Sequence, residues 1–420
     1  MITNLLNHLG RDFWIYRLGQ FFSGLGDSCT QVALYWWLLQ HLSPVQVGTI
    51  LSISMIADIF LPPLLAPLGD RYPRKNLMIL ASSCQLVLAA VFAFVAYTNF
   101  FSLPLILTLI PLYYLFKSLF LSGATGLLAF LVPRERYNEG LRQTQIINTI
   151  GMVIGGVIAG VVLHKFGVSK AFFLDSISFL ILMIAVLFIS VRKIDSNTQK
   201  KKEHPIILWK NDLFDGIKFI QKNQLLLIVS LMIAGLNFFF APFTLVVSTM
   251  ITNNKVWPAW TLGTFQTSLA VGSLLGLFLL NRLLKNLSSS SLFISLVIVE
   301  GVAAIIMSAF TSLASILLIP MVFGIVSAVT TTLVLRQLNL FVPDSYRSRF
   351  FSIFELMVRL MNPLGVFLGG VFLSNYQPAT LLLMNGILLI IFTIAVCSLS
   401  YFKTFMSYTL ANFQEKSVTG

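Results

Sequence analysis

Apolar residues in this chain are gathered into long runs separated by short polar stretches. Twelve runs stand out: 14–40, 45–67, 76–98, 103–131, 144–164, 170–191, 223–249, 260–281, 290–310, 313–341, 350–374 and 378–402. A helix needs about 20 apolar residues to cross a hydrocarbon core of ~30 Å, and each run is of that order. Backbone N–H and C=O groups in lipid must be bonded within the chain, so continuous runs predict helices. They lack the period-two alternation of barrel strands. Turn signals such as Ser43-Pro44 and Gln377-Pro378 separate close neighbours. The pattern predicts an all-α polytopic membrane protein with twelve transmembrane helices.

Composition agrees. Of 420 residues, 57% are hydrophobic and 10% charged, and the mean hydropathy is +0.88. Soluble domains carry roughly 25% charged residues, and a folded soluble chain has too little interior to hide this much apolar surface. The net charge of +13 raises nucleic-acid binding only for a soluble protein. Here Lys and Arg collect in loops on one side. With the N-terminus inside, the inner loops hold Arg71, Arg74, Lys75, Arg134, Arg136, Arg142, Arg282, Lys285, Arg347 and Arg349, and the outer loops only Lys165, Lys170 and Lys255. Basic residues mark the cytoplasmic side, so both termini are expected there. Met1 to Asp12 is short and polar, and the run after it is too long for a cleavable signal. Cys29, Cys84 and Cys397 lie in apolar runs without metal-ligand spacing. His8, His41, His164 and His204 lie at loop edges, so no metal site and no cofactor are expected.

The stretch 192–222 is the only long polar loop, with Lys200-Lys201-Lys202-Glu203-His204-Pro205 at its centre. It reads as a cytoplasmic linker, with a short amphipathic helix at Phe214–Ile220. It divides the chain into a six-helix bundle at 1–191 and another at 223–420. The halves resemble each other. Leu131-Val132-Pro133 precedes span five and Phe341-Val342-Pro343 precedes span eleven, 210 residues later. At the same offset Gly155 falls on Gly365, Gly160 on Gly370 and Leu163 on Leu373. Internal duplication is a transporter signature, with the site near mid-membrane between repeats. Gly151, Gly155, Gly156 and Gly160 have the small-residue spacing that lets two helix backbones approach.

An ionisable side chain inside the bilayer costs a few kcal/mol on insertion scales and needs a reason. Asp27 lies midway along span one, Asp58 in span two, Lys117 midway along span four, Asp175 in span six and Glu300 midway along span nine. Proton coupling needs a carboxylate that takes up and releases H⁺ as access alternates, and Asp27, Asp58 and Glu300 are the candidates by depth. A structural pair is the competing reading, with Lys117 neutralising Asp27 or Asp58. Arg336, Glu355 and Arg359 fall in the inner parts of spans ten and eleven. Glu355 and Arg359 share a helix face four residues apart, which suggests an inner-gate cluster or an anion site. In span seven, Asn237-Phe238-Phe239-Phe240-Ala241-Pro242 predicts irregular backbone lining a cavity, with aromatics suited to a bulky amphipathic molecule. Pro62-Pro63 and Asn362-Pro363 mark further bends.

Between spans two and three runs Ala66-Pro67-Leu68-Gly69-Asp70-Arg71-Tyr72-Pro73-Arg74-Lys75. It resembles the cytoplasmic loop signature of the major facilitator superfamily, G-x-L-a-D-r-x-G-r-r, with Ala66 and Pro73 in place of the two glycines. Arg17-Leu18-Gly19-Gln20-Phe21-Phe22-Ser23-Gly24-Leu25-Gly26-Asp27, Phe172-Phe173-Leu174-Asp175-Ser176-Ile177-Ser178-Phe179 and Val342-Pro343-Asp344-Ser345-Tyr346-Arg347-Ser348-Arg349 resemble segments of its drug:proton antiporter branch, which holds macrolide efflux proteins and the enterobactin exporter. The span-five Gly-Pro of that branch and the family's span-four arginine are missing, Lys117 lying near the latter's depth. The resemblance implies two pseudo-symmetric six-helix bundles and export of a siderophore or drug-like molecule against protons, by a monomer in the bacterial cytoplasmic (inner) membrane. It implies gating roles for Asp70, Arg71, Arg74 and Lys75. Asp70 would meet the positive end of a helix from the other half, worth about 0.3–1 kcal/mol. A metal-ion or metabolite transporter with other coupling, and a non-transporting receptor or scaffold, are the rival readings. No phosphate-binding Gly-x-x-x-x-Gly-Lys-Ser/Thr loop is present, so a gradient must drive transport, and an enzyme is not expected.

Overall fold

The structure, a computed structural model, describes residues 9–190, 217, 218, 220, 221, 223–286 and 288–407. Most of the 192–222 linker and of the helix expected at Phe214–Ile220 lies outside the described residues.

The helices are α1 (Arg11–His41), α2 (Pro44–Arg71), α3 (Arg74–Tyr97), α4 (Leu103–Ala124), the single turn α5 (Leu128–Leu131), α6 (Tyr137–Phe188), α7 (Gln224–Phe240), α8 (Phe243–Asn253), α9 (Trp260–Asn286), α10 (Ser289–Ala309), α11 (Leu313–Phe341), α12 (Asp344–Leu373), α13 (Pro378–Cys397) and α14 (Ser400–Ser407). Among the described residues ten helical stretches are long and apolar enough to cross a membrane. One of them, α6, has 52 residues and is broken at Gly167, whose φ of 82° is non-helical, so it supplies two crossings. The 31-residue α1 is long enough, but Gln20, Asp27 and Gln31 dilute its hydropathy. Counting both, twelve crossings result.

Three boundaries differ from the sequence expectation. The fourth span ends at Ala124 rather than 131, because Thr125 leaves helical geometry and Gly126 takes a φ of +74°. The twelfth ends at Cys397, and the chain restarts as α14. Pro62, Pro63 and Pro363 lie inside continuous helices, and the break in span seven falls at Ala241-Pro242. Asn237 does not interrupt α7. Its Nδ2 donates to Ile233 O at 2.9 Å within the helix.

The chain forms two compact units. The first contains Met1–Leu42, Ile53–Lys202 and Ile251–Thr267, and the second Ser43–Ser52, Glu203–Met250 and Ser268–Gly420. In the first, α1 and α3 pack on α6, and α3 on α4. In the second, α10 packs on α13 and α11, and α7 on α12. Phe13, Tyr16, Phe172 and Phe179 are buried in the first unit, Phe293, Phe350, Phe402 and Phe405 in the second. Large apolar side chains such as Phe94, Phe188, Phe278 and Phe310 point outward, as lipid-facing surface should. The buried hydroxyls of Ser82, Ser230 and Thr393 donate to carbonyls one turn back, so these donors are paired within their own helices.

Glycines at the 210-residue offset do matching work. A Cβ on Gly155 would lie 2.4 Å from Ser28 Oγ of α1, and one on Gly365 would lie 2.4 Å from Phe238 O of α7. Each lets the fifth helix of its half seat against the first.

Candidate functional site

In the first unit, α1, α4 and α6 bring three of the expected intramembrane charges together. Tyr113 Oη donates to Asp27 Oδ1 at 2.8 Å. Asp175 has no exposed surface. Thr30 Oγ1 donates to its Oδ2 at 2.7 Å, and Ser178 Oγ lies 3.1 Å from its Oδ1 and 2.7 Å from its backbone oxygen. Gly26 makes this crossing feasible, because a Cβ there would meet Ser178 Oγ at 2.1 Å and Asp175 Oδ1 at 2.5 Å. Among the described residues Lys117 makes no ion pair with Asp27 within 4.0 Å, although the two charges act on each other. Its Nζ lies 5.5 Å from the Tyr114 ring centroid. Asp58 is half-buried on α2, one helix away in sequence.

Tyr113 and Thr30 were not singled out in the sequence, whereas Ser178 stood in the quoted span-six segment. Tyr113 carried a signal, since it lies four residues before Lys117 and so shares its face of α4.

The α2–α3 loop arranges its basic residues on helix ends. Lys75 Nζ donates to Leu187 O at 2.8 Å and Ile189 O at 2.9 Å, at the C-terminus of α6. Arg74 donates to Thr125 O at the end of α4, and its guanidinium lies 5.5 Å from the Phe130 ring. The last carbonyls of a helix have no partner within it and carry partial negative charge, so cations belong there. Gly69 is a close-approach position, as its Cβ would fall 2.3 Å from Ser122 O. Arg71 is exposed, and the side chain of Asp70 is outside the described part of the structure.

In the second unit, Glu355 and Arg359 form an exposed pair at 3.8 Å, and Arg336 is exposed on α11. Glu300 is buried, 8% exposed, and lines a cavity of about 210 Å³ together with Asn237, Phe240, Phe293, Thr330 and Phe354.

A helical, polytopic chain with paired halves and charges in its spans has the form of a transporter, and comparison with known proteins decides which kind. The sequence profile of the Major Facilitator Superfamily matches residues 18–287, more than half of the 420 residues. The chain belongs to the Major Facilitator Superfamily. Membership makes it a multi-pass membrane protein of a transporter superfamily. It is 24% identical over 215 residues to the uncharacterized MFS-type transporter YkuC of Bacillus subtilis, covering 49% of this chain and 48% of that one. With the multi-drug resistance efflux pump PmrA of Streptococcus pneumoniae it shares 27% over 199 residues, 47% of this chain and 44% of PmrA. The matches thus span about half the length of those two relatives. The staphyloferrin A transporter of Staphylococcus aureus is matched more fully, at 23% identity over 81% of this chain and 84% of that one. Among solved structures, the nucleoside transporter NupG superposes with a TM-score of 0.70 at 13% identity, over 95% of this chain and all of NupG. A bacterial homologue of the lysosomal transporter Spinster gives 0.68 at 13% identity, over 96% and 97%. These superpositions establish the twelve-helix fold.

Proposed function

We propose that this superfamily member exports a bulky amphipathic small molecule, siderophore or drug-like, by alternating access of its two six-helix bundles in exchange for protons. The observation that carries the reading is the Tyr113–Asp27 hydrogen bond at 2.8 Å beside the buried Asp175. In this reading the carboxylate, bonded by a phenol midway along α1 with the Lys117 charge nearby, is placed to carry the coupling proton. Asp27 is the exchanging group. Asp175 holds the α1–α6 crossing through its bond from Thr30. Lys117 supplies positive charge nearby, and Asp58 is a second carboxylate on the path.

The efflux pump and the siderophore transporter among the relatives favour a cargo of that size. The loop residues Asp70, Arg71, Arg74 and Lys75, with Arg336, Glu355 and Arg359, form the inner gate in this reading. The excess of Lys and Arg in alternate loops supports both termini in the cytoplasm, and in this reading the chain acts as a monomer in a bacterial inner membrane.

The test is transport in proteoliposomes under an imposed pH gradient, with a fluorescent drug or an iron-free siderophore as cargo. Proton-driven flux in the wild type that fails in Asp27→Asn is the expected result. Flux indifferent to the pH gradient overturns proton exchange and leaves uniport or another coupling ion.

A further inference from the structure

The second unit contains a buried carboxylate that nothing above employs. Glu300 sits midway along α10 with 8% of its surface exposed. Among the described residues no hydrogen bond or ion pair reaches it. It faces a cavity of about 210 Å³ built by α7, α10, α11, α12 and α13, in which it is the only charged lining residue. A second void of about 20 Å³ touches the same carboxylate and is lined by Phe239, Phe323 and Asn385.

Burying an ionised carboxylate without a partner costs several kcal/mol. Such a group either keeps its proton or meets a positive charge, and a cation that enters the cavity can take the proton's place. The remaining wall narrows the choice of charge. Phe240, Phe293 and Phe354 line the main cavity, and their π faces attract cations, more strongly where water is excluded. Asn237 has its amide nitrogen engaged with Ile233 O, so its Oδ1 is left to accept from a ligand. Thr330 Oγ1 already donates to Val326 O at 2.7 Å. A bare metal ion wants about six oxygens in a close shell, and one carboxylate among phenylalanines and aliphatic chains does not provide that. One negative charge with aromatic walls suits one organic ammonium.

We infer that the Glu300 cavity is a binding site for a small monovalent organic cation, or for the cationic end of a larger amphipathic cargo, with Glu300 as counter-charge and Phe240, Phe293 and Phe354 as the aromatic wall. At about 210 Å³ the cavity is smaller than the ~300–1,000 Å³ that hold drug-sized ligands, so an arylalkylammonium fills it and a bulky cargo inserts only its charged end. Thr331 and Leu335 are exposed on α11 at the edge of the lining and mark the way in. The inference deepens the transporter reading by giving the cargo a positive charge. It stands on binding within one unit, so it survives or fails independently of proton exchange at Asp27.

The test is equilibrium binding of benzyltrimethylammonium to the purified full chain in lipid nanodiscs, by calorimetric titration. Its charge is fixed, so protonation of the ligand plays no part, and benzyl alcohol is the uncharged comparator. The expected result is saturable binding of the cation and none of the alcohol, weakened about tenfold or more in Glu300→Gln. Asp27→Asn should retain it, and Phe354→Leu should show an intermediate loss. Glu300→Gln is close in shape to the wild type, and an unchanged melting temperature would show that it folds. No cation binding by the wild type, equal binding by Glu300→Gln, or equal binding of benzyl alcohol would each overturn the inference. So would Glu300-dependent stabilisation by sodium or potassium without any by the organic cation.

Discussion

Replacing Gly26 by alanine adds one methyl group at the tightest point of the α1–α6 crossing. The new Cβ would lie 2.1 Å from Ser178 Oγ, 2.5 Å from Asp175 Oδ1 and 2.6 Å from Ser178 Cβ. Rotating Ser178 moves its hydroxyl but leaves its Cβ in place. Carbon atoms rest at about 3.5–4.0 Å, so the helices must part by roughly 1 Å. Overpacking of this kind costs about 1–3 kcal/mol, and opening the crossing also stretches the bond that Thr30 makes to Asp175. Gly24 is the internal control, two residues earlier on the same helix, where a Cβ would meet nothing within 4 Å. There alanine should be neutral or stabilising by up to about 1 kcal/mol, because glycine is a poor helix former. The assay is thermal unfolding of the purified variants in one detergent, followed by intrinsic tryptophan fluorescence. Gly26→Ala should melt well below wild type and Gly24→Ala at or above it. Adding Ser178→Gly to Gly26→Ala should recover part of the loss, since the two sites are in contact. Equal melting of the two single variants would refute the packing assigned to this crossing.

Tyr113→Phe removes the donor to Asp27. A hydrogen bond to a charged group is worth about 1.5–3 kcal/mol, so proton-driven flux should fall about 10- to 100-fold with expression unchanged. Undiminished flux would show that the phenol plays no part. Lys75→Ala should release the C-terminal carbonyls of α6 at a cost of about 1–2 kcal/mol, seen as faster amide hydrogen exchange in the last turn of α6 and not in α10. Phe405→Ala empties a fully buried position and should destabilise by about 3–5 kcal/mol, read as a lowered melting temperature, while exposed Phe278→Ala should change it little.

Run lengths carried most of the helix layout, because in lipid an apolar stretch has one regular solution. The departures came from single residues whose geometry overrides hydropathy. Gly126 ends a run that stays apolar to Leu131, and Gly167 folds one long helix into two crossings. The candidate site was legible only as a roster of charges. Asp27, Lys117 and Asp175 stand out because charge in a membrane is costly, whereas Tyr113 and Thr30 are ordinary residues of such spans. Helices apolar on every side have no single preferred face, so their pattern does not say which neighbour Asp27 will meet. The loop basics show the reverse case. Their presence was plain, but the helix ends that Arg74 and Lys75 bind belong to segments about 50 and 110 residues away.

The short terminal helix α14 gives the second unit a mechanical fastening. Phe402 packs 5.5 Å from Phe293 of α10, Gln337 of α11 donates to Met406 O at 3.1 Å, and Tyr401 donates to Gln224 of α7 at 3.1 Å. One two-turn segment thereby rivets the ends of three helices that are far apart in sequence. Any motion that splays α7 from α11 at that end must first lift the rivet and uncover Phe402 and Phe405. Bending inside this bundle is therefore stiffest at α14, and the softer places lie toward the opposite end of the same helices, beyond the break at Ala241-Pro242.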